Sequence, residues 1–368
     1  MILESIHASI LEIPFKTTFK HASAERKTTQ TIWMTAHARS GARGFGEGCP
    51  REYVSAESLA SAEAFIGQYS NDWLRTIDSI DTLKDWVARH GGEIDANPAA
   101  WTAVELALLD LLGKEAGCSV EKLLGLPELA GRFSYTAVLG DAEPRQFEAQ
   151  LAQYLGVGFH NFKIKLSGEY ERDLAKVRAL TAAGILPQAV RADANNLWAD
   201  AHTAIAYFEA LNFKFFALEE PLRANDIDGM RQIADALGAN IILDESLLRT
   251  EQLARLVASP ACWIVNVRVS KMGGLLRSLA LVREAHARKL RLIVGAHVGE
   301  TSLLTRAGLT VANCARDILL AQEGAFGTHL LTRDIVEKSL MFAGGGVLDI
   351  DAYGVANKPG FGLAILSA

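Results

Sequence analysis

Apolar and polar residues alternate at the start of the chain. Ile6, Ala8 and Ile10, and then residues 30–38, follow a period of two, which predicts strands separated by polar, flexible stretches at 16–27 and 40–53. Helical patterns follow. Asn97 with Pro98 reads as an N-cap and first-turn proline, and the apolar-rich run 99–112, ending before Gly117, predicts a largely buried helix. This portion reads as a small α+β module.

From Ser134 the pattern changes to short β-rich runs separated by helix-length segments, as repeated βα units require. Eight runs are predicted, at 134–140, 162–166, 189–195, 215–221, 241–246, 263–270, 290–298 and 318–324. Amphipathic segments such as 170–183 and 275–288 lie between them, and a parallel (β/α)8 barrel explains the order better than an open sheet of this length. The glycine-rich tail, 344–368, is too irregular for another unit and is expected to pack back on the amino-terminal module. The expected organisation is α/β: 1–125 as an amino-terminal module, 126–330 as a barrel, and 331–368 as a returning segment.

Composition narrows the function. At 368 residues, 49% hydrophobic and 22% charged, the chain has the balance of a folded protein. Its net charge of −6 offers no general attraction to nucleic acid or to an anionic membrane, and no run approaches a membrane-spanning length. Small molecules are the expected partners. Cys49, Cys118, Cys262 and Cys314 lack any CxxC spacing and read as reduced thiols, and the strand-like start lacks the features of a signal peptide, so a cytoplasmic location is expected.

The candidate chemistry lies at the carboxyl ends of successive runs, where barrel enzymes place their active sites. Asp193, Glu219 and Asp244 are 26 and then 25 residues apart, one βα unit each, so adjacent strands would point them at one centre. A lone acid at a strand end is ordinarily a solvated loop residue or a helix cap. Three in register need a cation, and an all-oxygen site suits a hard divalent ion, Mg2+ first and Mn2+ second. Glu219 is preferred over Glu220 and Asp244 over Glu245, each neighbour being expected to face the other side of its strand.

Lys271 follows the sixth run, opposite the second run that carries Lys163 and Lys165. Opposed lysines flanking such a centre have a specific use: Lys165 and Lys271 would take a proton from one face of a planar intermediate and return one to the other. A carbon acid beside a carboxylate is so weak that its dianionic enediolate needs the metal's charge to be reached at all. Lys163, two residues from Lys165 on the same strand face, would lower its neighbour's proton affinity.

Lys163-Ile-Lys165, Asp193-Ala-Asn195, Leu218-Glu-Glu-Pro221, Leu243-Asp-Glu-Ser246 and Lys271-Met-Gly-Gly274 together resemble the muconate-lactonising (muconate cycloisomerase) subgroup of the enolase superfamily across nearly the whole chain. The resemblance implies a modified, enolase-like barrel capped by the amino-terminal module and the tail, with loops around 15–22 and 49–53 closing over a small carboxylate. It also implies a homo-oligomer. Enolase-superfamily sites combine a Lys or His base with magnesium.

Members of the subgroup include cycloisomerases, o-succinylbenzoate synthases, dipeptide epimerases, N-acylamino-acid racemases and hydroxyproline-type epimerases and dehydratases. Dipeptide epimerases carry Asp-x-Asp on the eighth strand to hold the substrate ammonium. This chain has Leu320-Ala-Gln-Glu-Gly324 there, which argues against a dipeptide. Glu323 resembles an acidic residue of cycloisomerases and is either a substrate contact or a helix-entry residue. His297 stands where mandelate racemase-like members carry a catalytic histidine, but Lys271 replaces that branch's aspartate, so His297 is expected to contact substrate or to be structural. Asn195 is a further candidate substrate contact. The expected reaction is an isomerisation, either racemisation or epimerisation of an amino-acid derivative or cycloisomerisation; the alternative is dehydration of a hydroxyproline-like or sugar acid by a lyase.

Overall fold

Period-two alternation produces strands in the amino-terminal region, and more of them than the polar pattern suggests. The computed structural model describes residues 1–21, 24–256 and 260–366. Five strands open the chain: β1 (Leu3–Leu11), β2 (Pro14–His21), β3 (Ala24–Thr28), β4 (Thr31–Ala38) and β5 (Arg43–Gly48). β1, β4 and β5 form one antiparallel sheet, and β2 and β3 pair as a hairpin. The stretch 16–27, expected to be a flexible loop, is thus largely strand, because Thr and Phe favour extended backbone even in a polar run. Ala22 of the expected loop 15–22 lies outside the described residues. The base of the hairpin is fixed by main-chain bonds from Lys16 N to Leu330 O (2.7 Å) and from Thr332 N to Pro14 O (2.9 Å).

Part of the second expected loop, 40–53, is β5, a strand hidden by its glycines. Gly44, Gly46 and Gly48 alternate along one face and abut the helix Pro98–Glu115, where a Cβ at each would overlap the carbonyl oxygens of Ala107, Ala103 and Ala99 respectively. Glycine at every second strand position meets alanine at every fourth helix position, so two backbones touch. The helix is buried from Pro98 to Gly113. Asn97 occupies its N-cap position but makes no side-chain cap bond. Glu57 caps it instead, accepting from Ala99 N (2.7 Å) and Ala100 N (2.8 Å). Trp101 stacks on Trp86, with ring centroids 4.2 Å apart.

Next come β6 (Arg132–Ser134) and the parallel strands β7 (Ala137–Leu139), β8 (Phe162–Lys165), β9 (Val190–Asp193), β10 (Ala217–Glu219), β11 (Asn240–Leu243), β12 (Trp263–Val267), β13 (Arg291–Val294) and β14 (Leu319–Gln322). Each of β7–β14 pairs with its neighbour in chain order, and a parallel bridge from Tyr135 to Gln322 with a Thr136 N to Gln322 O bond (2.8 Å) closes the circle. The eight runs therefore close into a (β/α)8-type barrel. Two details differ. The sixth run ends at Val267 and leads into a short helix, Val269–Met272, that carries Lys271. After β11 the described residues form 3₁₀ turns, Thr250–Leu256 and Pro260–Cys262, in place of an α-helix.

Inside the barrel, Ala217, Ile242, Ile264 and Ile293 form an apolar plug. Two residues further along three of these strands come Glu219, Asp244 and Asn266, so the plug is the floor on which a polar layer stands. The barrel is joined to the amino-terminal sheet by buried carboxylates: Glu47 on β5 accepts from Thr301 N (3.1 Å) and Thr301 Oγ1 (2.6 Å) before the helix Ser302–Cys314, and Glu105 accepts from Leu276 N (3.0 Å). The tail includes β15 (Val347–Asp349), antiparallel to β6. Further on it packs against the buried helix, with Phe361 N donating to Asp110 Oδ1 (2.9 Å).

Gly46→Ala should lower the unfolding free energy by about 1–3 kcal/mol through overpacking. Gly67→Ala, where an added Cβ meets nothing within 4 Å in the helix Leu59–Thr76, should raise it by about 0.5–1 kcal/mol. Urea unfolding of both variants checks the contact; equal effects would refute it. Burial pushes Glu57 and Glu105 up to about 7 despite their hydrogen bonds. Their contribution to stability is complete below the unfolded-state value of 4.5 and is lost as pH rises through about 7. The double variant Glu57→Gln, Glu105→Gln should lose less stability than wild type between pH 5 and 7, and parallel urea midpoints would contradict this.

Candidate active site

Strand register assembles the site. Lys165 pairs with Asp193, and Asp193 with Glu219, while Glu219 pairs with Ile242, two residues before Asp244. Residues in register on parallel strands share a face, so the carboxylates of Asp193, Glu219 and Asp244 and the ammonium groups of Lys163 and Lys165 all enter the barrel mouth. Glu220 does the opposite. It adopts a left-handed φ of +40°, and its carboxylate accepts from Asp244 N (2.7 Å), Ser246 N (2.7 Å) and Ser246 Oγ (2.8 Å). Those bonds sustain a strained backbone and fix the turn that presents Asp244.

The acids are interleaved with cations. Lys163 Nζ lies 2.9 Å from Asp193 Oδ2, 2.7 Å from Glu219 Oε2 and 3.1 Å from Glu323 Oε2. Lys165 Nζ donates to Asp193 Oδ2 (2.5 Å) and Asn195 Oδ1 (2.9 Å). On the other side Arg268 pairs with Asp244 Oδ2. Lys271 donates to Asp244 Oδ1 (2.8 Å), Asp244 O (2.8 Å) and Asn266 O (2.9 Å), which uses all three of its protons.

These contacts set the proton affinities. Burial would raise Asp193, but Lys163 and Lys165 bring it down to about 2. Burial opposes ionisation of Asp244 as well, and Arg268 and Lys271 hold it well below the usual carboxylate range. Burial would lower Lys163, yet Asp193, Glu219 and Glu323 keep it far above an ordinary lysine. Glu219 differs: burial, with Asp193 beside it, raises it to about 7. Its Oε2 is near Lys163 but has no hydrogen bond.

Glu219 is thus short of positive charge, and three hard carboxylate oxygens on neighbouring strands are the donor set a divalent ion takes, so the residues fit such an ion. As they stand, no three His, Cys, Asp or Glu among the described residues form a metal-holding group, because lysine and arginine hold the acids individually. An incoming divalent ion would replace those cations.

A cavity of about 60 Å³ opens above this layer, lined by Lys163, Lys165, Asn195, Glu323 and His297 of the sequence-derived candidates, together with Tyr53, Val138, Glu245, Arg268 and Phe326. Lys271 does not line it. His297 is 4% exposed and neither ring nitrogen has a hydrogen-bond partner. Burial and Arg268 hold its pKa well below the ordinary imidazole value. Glu323 is no helix-entry residue: its carboxylate enters the barrel and pairs with Lys163 and with Arg191 Nη2 (3.2 Å).

Arg268 and Arg191 were not among the sequence-derived candidates, and Glu245 was weighed only as the neighbour of Asp244 expected to face away. Glu245 lines the cavity rather than facing away, because the strand ends at Leu243 and alternation stops with it. Its Oε2 has no partner, and burial beside Asp244 raises it to about 7. Arg191 and Arg268 were legible, since they stand two residues from Asp193 and Asn266 on the same faces.

Residues 146–368 match the family described as Enolase C-terminal domain-like. The chain is 28% identical over 370 residues, 99% of each chain, to the L-Lys-D/L-Arg epimerase of Methylococcus capsulatus. It is 26% identical over 377 residues, 99% of this chain and 96% of the other, to the N-succinyl-L-Arg/Lys racemase of Bacillus cereus. The crystal structure of the latter superposes with a TM-score of 0.86 at 24% identity, covering 100% of this chain and 96% of that one. The muconate lactonizing enzyme of Pseudomonas fluorescens, complexed with muconolactone, superposes with a TM-score of 0.86 at 25% identity, covering 99% and 96%. With the barrel, the register of its polar mouth and a family match over more than half its length, this chain belongs to the Enolase C-terminal domain-like family of the enolase superfamily.

Proposed function

We propose that this chain is an isomerase that moves the α-proton of a small carboxylate, an amino-acid derivative or a cyclic acid, between the two faces of the carbon. The observation that carries the reading is the placing of Lys165 and Lys271 on barrel segments four strands apart, each bonded to one of two acids that flank Glu219. Relatives named as racemases and epimerases support it.

In this reading Asp193, Glu219 and Asp244 hold a divalent cation, Mg2+ first. Bound there, the ion supplies positive charge to the substrate carboxylate and to the charge that develops on it. A dipeptide epimerase from Methylococcus capsulatus has been solved with Mg and a dipeptide, at 25% identity over 99% of this chain and 100% of that one, with a TM-score of 0.84.

Lys165, as the free amine, takes the α-proton on one face, and Lys271, as the ammonium, returns one on the other; the reverse reaction exchanges their roles. Lys163 keeps its charge beside three carboxylates, Asp193, Glu219 and Glu323. Lys271 has to release Asp244 before it can deliver a proton. Residues 1–125 and 331–368 act as the cap. Four free cysteines support a reducing, cytoplasmic setting.

Glu323 is engaged by Lys163 and Arg191, and Ala321 stands where a second acid would be needed for an ammonium clamp. This supports a substrate with a blocked amine over a dipeptide. His297, at the cavity wall with neither ring nitrogen hydrogen-bonded, is a contact for the rest of the substrate.

Proton NMR in D₂O with Mg2+, over N-succinyl and N-acetyl amino acids, hydroxyprolines, betaines and sugar acids, tests the reading. Deuterium should enter the α-position without loss of water, and an unsaturated or keto product would replace the isomerase by a dehydratase. Lys165→Ala and Lys271→Ala should each slow exchange by about 10²–10⁴-fold. Exchange that survives in both variants would refute the mechanism. Exhaustive chelation should abolish exchange and Mg2+ should restore it; full activity in chelator would remove the cation from the account.

A further inference from the structure

Lys176 lies on the helix Tyr170–Ala182 behind β8, outside the cavity, and its side chain is 1% exposed. Its ammonium donates to the main-chain oxygen of Lys165 (2.8 Å), to Asp173 Oδ1 (2.8 Å) and to Asp141 Oδ1 (2.8 Å). Three protons meet three acceptors, so its bonding capacity is filled. Asp141 follows β7, and Asp173 sits one helical turn before Lys176, so the ammonium ties two βα units to the carbonyl of Lys165.

Asp173 completes the clamp. Its side chain is fully buried, and it accepts from Ser167 N (3.0 Å), Ser167 Oγ (2.9 Å), Gly168 N (3.0 Å) and, across to the helix Ala201–Leu211, Tyr207 Oη (2.7 Å). Gly168 has a left-handed φ of +78°. The main chain is thus held at residue 165 through its oxygen and at 167 and 168 through their N–H groups. A surface helix needs no such arrangement. A buried lysine and aspartate are costly to desolvate, and their partners lie at the strand exit that carries Lys165.

We infer that Lys176 and Asp173 are the positioning pair for Lys165, fixing the main chain from which its side chain reaches the substrate; this rests on Lys165 acting as a base. A proton transfer depends on sub-ångström placement of the transferring atom, whereas substrate binding does not. Removing the clamp therefore slows proton transfer on one face only.

The test combines two readouts on Lys176→Met and on the milder Tyr207→Phe, which removes one bond to Asp173 and stands in if the first fails to fold. Amide exchange by mass spectrometry should accelerate in residues 166–168 of Lys176→Met by about 10- to 100-fold, and of Tyr207→Phe by about 2- to 10-fold. The buried helix Pro98–Glu115 should not change. In D₂O with Mg2+, N-succinyl-D- and N-succinyl-L-lysine should lose their α-protons unequally. The enantiomer whose proton Lys165→Ala retains should slow by at least about 10-fold more than the other in Lys176→Met, with KM unchanged. Equal slowing of both enantiomers, or amide exchange at 166–168 that does not move, overturns the inference. If the wild-type protein exchanges neither enantiomer while local amide exchange accelerates as stated, the clamp stands and the assignment of Lys165 as a base to this substrate class falls.

Discussion

Charge neutrality in a nearly dry space is the constraint on which the site depends. Asp193, Glu219, Asp244, Glu245 and Glu323 meet Lys163, Lys165, Arg191, Arg268 and Lys271 within one barrel mouth, and most of these side chains are almost wholly buried. An unpaired buried charge costs several kcal/mol, and every one of these groups except Glu245 is held by an opposite charge. The balance is uneven, because Asp193 and Asp244 are over-supplied with cations while Glu219 and Glu245 are under-supplied. A centre that accepts further positive charge and then shares it with an anionic ligand needs that imbalance. The register of β8 to β11 creates it, and the apolar plug beneath keeps water from relieving it.

The same economy of buried charge joins the amino-terminal sheet to the barrel. Glu47 reaches the amino end of the helix after β13, Glu105 the start of the helix Leu275–Ala287, and Glu57 the start of the long buried helix itself. Each carboxylate satisfies main-chain N–H groups that a helix leaves unpaired. Lys176 and Asp173 serve the same end at β8. Side chains that never touch the cavity therefore set the positions of those that do.

How much of this was legible depends on whether a pattern repeats. That Asp193, Glu219 and Asp244 converge was legible because the βα unit recurs at nearly constant length, and the strand register reproduces the spacing. β5 was missed because a strand that presents glycine to a helix loses the apolar signal on its buried face. The Asn97 cap was assigned to the right position but the wrong side chain, since Glu57 is forty residues away in sequence and only the fold brings it near. Glu245 was misdirected because alternation holds along a strand and fails two residues beyond the end of β11. Lys176 gives no sequence signal, as a lysine in an amphipathic helix is ordinarily solvated.

The most direct test of the central claim is a crystal structure with Mg2+ and a bound α-substituted carboxylate. The account predicts the ion held by Asp193, Glu219 and Asp244, with the amines of Lys165 and Lys271 on opposite faces of the α-carbon. An ion bound elsewhere, or both lysines on one face, would contradict it.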